Sequence, residues 1–323
     1  MKRRSFIAGS AASVISLGVL PLTSAGKRQR RIVHNSSAME TTIMIDGLTS
    51  AFNVVQITDS HISCDSENEK QYEQYSQRMD SAYKVVTHYK TNERIPALEM
   101  FKQVLNKSKE FSPELIALTG DIVNNPSETS IKAVKSEIDK LGIPYIYTPG
   151  NHDWHYEGMS GSADQLRSEW SKKRLQVFTN DTLFSSTILN GVNFVAIDNS
   201  TYQINKQQLE FFKEQLKKDK PIILLAHIPL YMPSLDTSSC GHPDWGWATD
   251  TIYEIERRER WQETNNKETV EFVKLAMDSS MIAGIFSGHW HESRTIIHNN
   301  RVQYITDAGC RGAYRLIKFK GLK

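Results

Sequence analysis

The sequence predicts an α/β fold with one mixed sheet or two sheets covered by helices. Its 323 residues, 39% hydrophobic and 24% charged, have the composition of an ordinary soluble globular protein. From residue 41, short apolar runs alternate with helix-like segments, and near the C-terminus this alternation gives way to hairpins. Because the sequence shows no internal repeat and no long low-complexity linker, we expect a single domain over residues 46–323.

The elements are placed in chain order by their hydrophobic spacing. Apolar runs that end in polar residues predict buried strands in FNVVQITDSH, LIALTGD, PYIYTPGNHD, PIILLAHIP and MIAGIFSGHWH. Helical spacing predicts helices at 96–109, in SIKAVKSEIDKLG up to Gly142, and at about 205–218 and 268–279. Asn190-Gly191 predicts a hairpin turn, and 293–319 predicts antiparallel strands. Two polar segments, near 62–95 and 231–267, are predicted to be surface insertions of the lid or binding-loop kind.

Residues 1–25 predict an export signal peptide. A basic start (Lys2, Arg3, Arg4) precedes an apolar run at 6–22, and the small residues at 23–25 suit signal peptidase. The start resembles a twin-arginine signal, although Lys2 stands where serine or threonine is usual. The short apolar run, rich in Ala, Ser and Gly, argues against a stable membrane anchor. We expect a periplasmic or secreted protein that meets the export machinery through this signal, with a basic N-terminal tail at 26–45.

Charge and cysteine content narrow the function classes. Without residues 1–25 the chain keeps 36 of its 39 basic residues against 37 acidic ones, so no basic surface for nucleic acid is expected. The three cysteines are Cys64, Cys240 and Cys310. Cys240 and Cys310 lie in Gly-containing loops and are the pair we expect if a disulfide forms, although folding before twin-arginine export disfavours one.

Five of the predicted strands end in polar residues that bind metals. In α/β sheets, functional groups gather just beyond the carboxyl ends of strands. One strand ends in His289-Trp290-His291, and both rings would share one face if the strand continued. Taken singly, each motif has an ordinary explanation, such as a turn aspartate or a core histidine, but five in this order make coincidence a poor account. The candidate ligands are Asp59, His61, Asp121, Asn151, His227, His289 and His291.

The chemistry of this set indicates two transition-metal ions. Two carboxylates, four imidazoles and one amide oxygen form a mixed N/O set that suits Zn, Fe or Mn better than Ca or Mg. The set lacks the thiolates of a structural zinc site, and seven ligands are too many for one tetrahedral ion. They fit two divalent or trivalent ions about 3.5–4 Å apart that share one carboxylate.

The same motifs, in the same order, resemble the signature of the calcineurin-like metallophosphoesterases. They span residues 59–291 and comprise Asp59-Ser60-His61, Gly120-Asp121, Gly150-Asn151-His152-Asp153, His227 and Gly288-His289-Trp290-His291. The resemblance implies a four-layer sandwich of two mixed β-sheets flanked by helices, with the dimetal site on loops at the strand ends. It also implies that Asp59, His61 and His291 hold one ion, that Asn151, His227 and His289 hold the other, and that Asp121 bridges them. His152 would face the phosphoryl group as general acid or oxyanion stabiliser.

The resemblance implies an exported dimetal phosphoesterase acting through a metal-bridging hydroxide. GNHD with GHWH is closer to the bacterial cyclic-nucleotide phosphodiesterase branch, a similarity of motifs that does not fix the substrate. The expected substrate is a small phosphodiester or nucleotide. A phosphomonoesterase or nucleotidase, and a nucleotide-sugar pyrophosphohydrolase, stay open as alternatives. A non-catalytic binding protein on the same scaffold is the alternative from another class, although no ligand of the motif is missing.

Some residues bear on the subclass and on substrate binding. Asn124 stands where many protein phosphatases have an aspartate that orients the catalytic histidine, so Asp153 or a carboxylate from elsewhere is expected to orient His152. Asn124 also occupies the position of the metal-bound tyrosine of purple acid phosphatases, so no tyrosinate centre is expected. The predicted substrate contacts are Trp245, Trp247 and Arg311, and His155 and His242 are weighed as phosphate contacts against an inert role in loops.

Overall fold

The computed structural model of the protein describes residues 13–15, 30–64, 67–235, 238–244 and 264–322. Two large mixed sheets, accompanied by helices, make up this part of the chain, as the sequence and the family resemblance predicted. The strands in chain order are β1 (Ser13–Ile15), β2 (Ile32–Ser36), β3 (Glu40–Ile45), β4 (Phe52–Ile57), β5 (Val85–Thr87), β6 (Arg94–Pro96), β7 (Leu115–Thr119), β8 (Tyr145–Thr148), β9 (Phe184–Leu189), β10 (Val192–Ile197), β11 (Ile222–Leu225), β12 (Ile282–Ser287), β13 (Arg294–His298), β14 (Arg301–Ile305) and β15 (Arg315–Gly321). The α-helices are α1 (Glu73–Tyr83), α2 (Ala97–Lys109), α3 (Glu128–Leu141), α4 (Ala163–Arg174), α5 (Lys206–Leu216) and α6 (Lys267–Asp278). Among these described helices, none has the length and apolar character needed to cross a bilayer.

The two sheets differ in strand order, but each contains a run of parallel strands. The first has seven strands in the order β1-β2-β3-β15-β4-β7-β8, with β4, β7 and β8 parallel. The second has six strands in the order β13-β14-β12-β11-β10-β9, with β10, β11, β12 and β14 parallel. Strands β5 and β6 form a small separate ribbon. Parallel strands place their carboxyl ends at one edge, which is where the candidate ligands follow in the sequence.

Aromatic side chains fill the space between the two sheets. Phe52 of β4 and Phe319 of β15 stack with ring centroids 4.5 Å apart, and Phe194 of β10 meets Phe319 edge-on at 5.6 Å. All three side chains are buried in one apolar cluster that draws on both sheets. A second, larger cluster contains Phe101 of α2 and Val134 of α3, packed against strand residues. The first sheet is therefore covered on both faces, as its continuously apolar strands require.

The local turn and cap predictions agree with the structure. Strands β9 and β10 are antiparallel and joined by Asn190 (φ 46°) and Gly191 (φ 85°), both left-handed as a tight hairpin requires. Helix α3 begins after Ser127, whose hydroxyl accepts a hydrogen bond from the Ser130 N–H, and it ends at Gly142 with φ 68°.

The N-terminal segment differs from its prediction. Residues 32–45, expected within a basic tail, form β2 and β3, and β3 pairs in parallel with β15. Ile43 and Ile45 are buried, and burial alternates along β3 as expected for a strand with one face on the core. The tail prediction is therefore wrong over 32–45, because the apolar face of the alternating segment ETTIMI packs on the core.

The expected pairing of Cys240 with Cys310 is also wrong. Neither cysteine forms a disulfide. The Cys240 thiol donates to the Tyr202 carbonyl at 3.3 Å within the larger apolar cluster, whereas Cys310 packs with Met100 in a separate small cluster. Burial raises the pKa of each thiol to about 12, so neither is a reactive thiolate at neutral pH.

Candidate metal centre

The candidate ligands lie on five loops at one edge of the paired sheets. Three loops follow β4, β7 and β8 of the first sheet, and two follow β11 and β12 of the second. Backbone hydrogen bonds tie the loops together: the Asp59 N–H donates to the Gly120 carbonyl, and the Gly288 N–H donates to the His227 carbonyl, both at 2.9 Å. Five of the ligands are buried, and His289 and His291 are half-buried. The sandwich therefore supplies one site from both of its sheets.

Five of these seven residues have a left-handed backbone. A non-glycine residue with positive φ is uncommon and costs free energy, and such residues cluster at functional sites. Here the left-handed residues lie in the loops that follow β4, β7 and β12. The φ values are 52° at Asp59, 45° at His61, 51° at Asp121, 72° at His289 and 52° at His291.

Two glycines of the motifs are required by close approach. A β-carbon at Gly150 would lie 2.2 Å from Asp121 Oδ1, and one at Gly288 would lie 2.2 Å from Asp59 Oδ2. These distances are far below van der Waals contact, so no larger residue fits at either position without displacing a carboxylate.

One group of ligand atoms comes from Asp59, His61 and His291. The Nε2 atoms of His61 and His291 are 3.0 Å apart, and His291 Nε2 is 3.2 Å from Asp59 Oδ1. His61 Nε2 lies 3.9 Å from the same Asp59 oxygen. Three donors within this spacing converge on a single point, where one cation fits.

A second group comes from Asp121, His227 and His289. His227 Nε2 is 3.1 Å from Asp121 Oδ2, and the ring centroids of His227 and His289 are 5.2 Å apart. Asp121 Oδ2 is also 3.9 Å from His61 Nε2, so Asp121 lies between the two groups. The pair His289 and His291 is thus divided between the groups, because β12 ends at Ser287 and the strand geometry does not continue.

Buried polar atoms without partners support a bound cation at this place. Within the described part of the chain, Asp59 Oδ1, Asn151 Oδ1 and His227 Nε2 are buried and have no hydrogen-bond partner outside the set of candidate ligands. Leaving such atoms unsatisfied costs about 1–3 kcal/mol each, and more when the group is charged. All three are lone-pair donors on candidate ligands, so transition-metal ions would satisfy them. The residues therefore fit the dinuclear group that the sequence predicts.

Neighbouring groups fix the orientation of two ligand imidazoles. His227 Nδ1 donates to the Thr119 carbonyl at 2.9 Å, which leaves Nε2 to face Asp121. His289 Nε2 is 2.7 Å from the Tyr202 hydroxyl, which leaves Nδ1 as the nitrogen that would bind a metal. Hydrogen bonds of this kind set the tautomer of a ligating histidine and raise its basicity. Tyr202 was not identified from the sequence, because it lies far along the chain and no local pattern marks it.

Electrostatics keep Asp121 ionised. Complete burial favours the neutral carboxyl, but the charges of His227 and His152 outweigh burial and hold the pKa of Asp121 well below its usual range. Burial lowers the pKa of His227, yet Asp121 and Asp59 raise it to about 9. For His61, burial and the charge of His152 hold the pKa well below the usual value. The site thus combines an ionised Asp121 with a neutral His61, both suited to cation binding, and a cation bound at His227 would take the place of its proton.

Replacing Tyr202 by phenylalanine is expected to weaken metal binding about ten- to hundredfold, because His289 loses the hydroxyl that orients it. Tyr156→Phe is the matched control, since the buried Tyr156 hydroxyl has no hydrogen-bond partner in the described part of the chain. Calorimetric titration of each variant with metal measures the difference in metal affinity. Equal affinity in both variants would remove Tyr202 from the metal site.

His152 lies beside the ligands and is oriented by backbone. Its Nδ1 donates to the Asn124 carbonyl at 3.1 Å, and its ring meets the His61 ring edge-on at 4.6 Å. The prediction that Asp153 orients His152 is wrong. The Asp153 carboxylate accepts hydrogen bonds from the N–H groups of Val123 and Gly150 and so holds two of the site loops together. Burial, followed by the charge of Asp121, raises the pKa of Asp153 to about 7.

The remaining predicted contacts have different outcomes. Arg311 lies at the rim, where its guanidinium donates to the His291 carbonyl and to Asp307, each at 3.2 Å. His242 is buried against Tyr231 and accepts a hydrogen bond from the Asp244 N–H, so it serves its own loop. His155 is half-buried beside Trp154, with ring centroids 5.8 Å apart. Trp245 and Trp247 lie outside the described residues.

One rim residue was not expected from the sequence. Tyr83, the last residue of α1, stacks on His61 with ring centroids 4.1 Å apart and planes 13° from parallel. It is also within 6.3 Å of His152 and 6.1 Å of His291, measured between ring centroids. The 62–95 insertion therefore contributes a wall of the site.

Comparisons with known proteins agree with this site. The calcineurin-like phosphoesterase family matches residues 52–293, a range that contains every candidate ligand. A probable glycerophosphodiester phosphodiesterase of Arcobacter nitrofigilis is 27% identical over 125 residues, covering 36% of this chain and 42% of that protein. A probable cyclic nucleotide phosphodiesterase of Fibrobacter succinogenes is 24% identical over 196 residues, covering 60% of this chain and 63% of that protein. The match thus spans less than two thirds of the length of both relatives.

Solved structures with similar folds include two metal-dependent phosphatases. A dimetal phosphatase from Danio rerio matches with a TM-score of 0.50 at 11% identity, covering 82% of this chain and 91% of that protein. A purple acid phosphatase from yellow lupin also has a TM-score of 0.50, at 14% identity, covering 84% of this chain and 47% of that protein. At these identities the likeness concerns the fold alone.

Proposed function

The chain belongs to the calcineurin-like phosphoesterase family, and on that premise we propose that it is a dimetal phosphoesterase that hydrolyses a phosphodiester of a small molecule such as a nucleotide. The observation that carries the proposal is the pair of ligand groups that share Asp121, whose Oδ2 is 3.1 Å from His227 Nε2 and 3.9 Å from His61 Nε2. A carboxylate shared by two histidine groups would hold two metal ions close together, as in-line phosphoryl hydrolysis by a two-metal site needs.

Each part of the site has a role in this reaction. Two transition-metal ions, Mn, Fe or Zn, when bound there supply an acidified water and neutralise phosphoryl oxygens. Asp59, His61 and His291 would hold one ion, Asn151, His227 and His289 the other, and Asp121 both. His152, with Nδ1 held by the Asn124 carbonyl, presents Nε2 to the phosphoryl group and gives a proton to the leaving oxygen or stabilises charge on the equatorial oxygens. Arg311 lies at the rim, where it would contact substrate phosphate.

The preference for a small diester rests on two supports. Both sequence relatives described above carry phosphodiesterase names, one for glycerophosphodiesters and one for cyclic nucleotides. The near-zero net charge of the chain argues against a nucleic-acid polymer as substrate, since such binding depends on many Lys and Arg contacts.

The test is hydrolysis of a small panel by the protein reloaded with Mn. The panel contains bis-p-nitrophenyl phosphate, p-nitrophenyl phosphate, cyclic nucleotides and UDP-sugars. We expect diester cleavage that His152→Ala lowers about 10²–10⁴-fold, because proton transfer contributes this much to phosphate ester hydrolysis. The matched control is His298→Ala, because His298 lies at the far end of β13 from the strand ends that carry the ligands.

Other outcomes of the panel assign other functions. Cleavage of monoesters alone would move the function to a phosphatase or nucleotidase, and cleavage of UDP-sugars alone to a pyrophosphohydrolase. A metal content near zero after reloading, with no turnover, would favour the non-catalytic binding protein. An unchanged rate in His152→Ala would remove His152 from the chemistry.

We also propose that the protein is exported through residues 1–25, supported by Arg3-Arg4 and the apolar run that follows them. Replacing both arginines by lysine in the full chain is expected to abolish export through a twin-arginine route while leaving the folded protein intact. Fractionation of expressing cells, with N-terminal sequencing of the exported form, gives the result. Unchanged export in the double variant would indicate a general secretory route, and recovery of both forms from the cytoplasm would contradict export.

A further inference from the structure

The 62–95 insertion is fixed to the site by one face of α1. Asp80 and Tyr83 are three residues apart on this helix and therefore lie on the same side of it. Tyr83 stacks on His61, as described above, so this side of α1 faces the ligands. Asp80 is half-buried next to Tyr83 and makes its contacts with the loop that follows β7.

A single carboxylate oxygen of Asp80 gathers three donors. Oδ1 accepts from the Ser63 hydroxyl at 2.5 Å, from the Asn124 side-chain amide at 3.1 Å and from the Asn125 side-chain amide at 3.0 Å. Ser63 follows the loop that carries Asp59 and His61, and the two asparagines follow Asp121. Hydrogen bonds to a charged acceptor are about twice as strong as neutral ones, so Asp80 joins these two loops firmly.

The Asn124 residue links this carboxylate to His152. Its side chain donates to Asp80, and its own carbonyl accepts from His152 Nδ1 at 3.1 Å. The His152 imidazole is thus oriented by the neutral carbonyl of Asn124, and the side chain of Asn124 is held by the Asp80 carboxylate of the insertion. Asn124 stands where many protein phosphatases have the orienting aspartate. Here Asp80 supplies a carboxylate that contacts the Asn124 side chain and not His152 itself.

A second carboxylate fixes the insertion at its other end. Glu69 accepts from the N–H groups of Glu128 and Thr129 at 2.8 and 3.3 Å and from the Ser127 hydroxyl at 2.7 Å. These groups form the N-terminus of α3, where a negative charge is favoured by the helix dipole. Glu69, before α1, is bound to the start of α3, and Asp80, near the end of α1, is bound to the loop after β7. The insertion is therefore held on both sides of α1.

We propose that Asp80 is a positioning residue for His152, acting through Asn124, and that the 62–95 insertion is therefore part of the catalytic apparatus. The inference rests on the proposed function, because His152 is taken to act on the phosphoryl group. Without Asp80 the loop around Asn124 loses its charged partner, and the His152 ring samples orientations that do not serve the reaction.

The experiment is a double-mutant cycle of Asp80→Ala and His152→Ala in the Mn-loaded full chain, with bis-p-nitrophenyl phosphate as substrate. Asp80→Ala is expected to lower kcat about ten- to hundredfold with KM and metal content unchanged, and Asp80→Asn is expected to lie between it and the wild type. In the His152→Ala background, Asp80→Ala should have almost no further effect, since the residue it positions is gone. Glu73→Ala, which removes an exposed acid from the same helix, is the control.

The outcomes separate a positioning role from a structural one. Equal losses in both backgrounds, or a loss of metal in proportion to the loss of kcat, would overturn the proposal. A second readout does not need turnover: the Nδ1–H resonance of His152 in the metal-free protein, assigned with His152→Ala, should shift or broaden in Asp80→Ala but not in Glu73→Ala. This resonance can be measured even if the wild type cleaves no phosphate ester. A shift in Asp80→Ala would then still support the positioning role, and no shift would overturn it. Failure of the proposed function is therefore distinguishable from failure of this inference.

Discussion

Replacing Asp121 by alanine is expected to abolish phosphoesterase activity, with a fall in kcat/KM of at least about 10³-fold. Asp121 is the residue that both ligand groups share, with Oδ2 between His227 Nε2 and His61 Nε2. Its other oxygen, Oδ1, accepts a hydrogen bond from the backbone N–H of His152 at 2.8 Å, so the same carboxylate also positions the loop that carries His152. Without it, the buried histidines face one another with less negative charge to hold cations.

The change in metal content gives a more direct result than the change in rate. The wild type reloaded with Mn should carry two ions per chain, and Asp121→Ala one or none, as measured by elemental analysis after gel filtration. Asp121→Asn keeps the shape and the hydrogen bond from His152, so it separates loss of charge from loss of packing. Asp139→Ala is the control, because Asp139 is an exposed acid paired with Lys135 on α3. Two bound ions in both Asp121 variants would contradict a bridging role.

The candidate ligands could be selected from the sequence because each follows a local pattern. An apolar strand that ends in Asp, His or Asn is visible in a few residues, and parallel strands bring such ends together whatever the rest of the chain does. His227 illustrates this. It directly follows an apolar run in the sequence, and it stands between Asn151 and His289 in the order of the motifs. The structure brings Asp59, His61 and His291 together as one group and Asp121, His227 and His289 as another, with the ligand atoms of each group within 4.8 Å of one another.

The residues that contact a ligand or the loop around His152 from elsewhere in the fold were not predictable, because their contacts are made across the fold. Tyr202 reaches His289, which is 87 positions away in sequence, and Asp80 reaches Asn124, which is 44 positions away. Neither residue belongs to a motif, and neither has a spacing that indicates its partner. Asp153 shows the reverse error: its position next to His152 suggested a contact, but the backbone turns its carboxylate toward Val123 and Gly150.

The fold shows the same division between local and distant information. The Asn190-Gly191 hairpin and the Gly142 helix end were predicted from turn chemistry that needs only a few residues. Strand β3 pairs on one side with β2, directly before it, and on the other side with β15, at the opposite end of the chain. A short alternating segment near a basic N-terminus gives no sign of a partner more than 270 residues away.

A buried polar network explains why the N-terminal strands belong to the domain. The Arg315 side chain is fully buried, and its donors reach the Ser37 carbonyl and the Thr41 hydroxyl on the N-terminal segment. They also reach the Thr306 hydroxyl, which itself donates to Gln56 Oε1 at 2.7 Å. Gln56 in turn donates to the Thr119 hydroxyl and the Ser287 carbonyl, at the ends of β7 and β12. The network therefore connects β3 and the residue Ser37 before it to the ends of β7 and β12, which the ligand-bearing loops follow.

Arg315→Ala is expected to destabilise the protein by about 3 kcal/mol, seen as a fall in Tm of about 5–10 °C. Burial lowers the pKa of Arg315 to about 10, so the guanidinium is charged at neutral pH, and no carboxylate is among its described hydrogen-bond partners. Removing that charge regains its desolvation cost, but the Ser37 and Ile305 carbonyls lose their donor and Tyr304 loses the guanidinium at 5.2 Å from its ring. We expect the lost contacts and the cavity to exceed the regained solvation.

Thermal unfolding of metal-free Arg315→Ala, compared with Arg294→Ala, separates these effects. Arg294 is a half-exposed arginine paired with Glu292, so its removal should cost less than about 1 kcal/mol. Arg315→Met, which fills more of the space without donors, is expected to lie between Arg315→Ala and the wild type, because packing is partly kept while the carbonyls stay unsatisfied. An Arg315→Met protein as stable as the wild type would mean that the site needs volume and not hydrogen bonds. In that case β2 and β3 would be held by strand pairing and the apolar core alone.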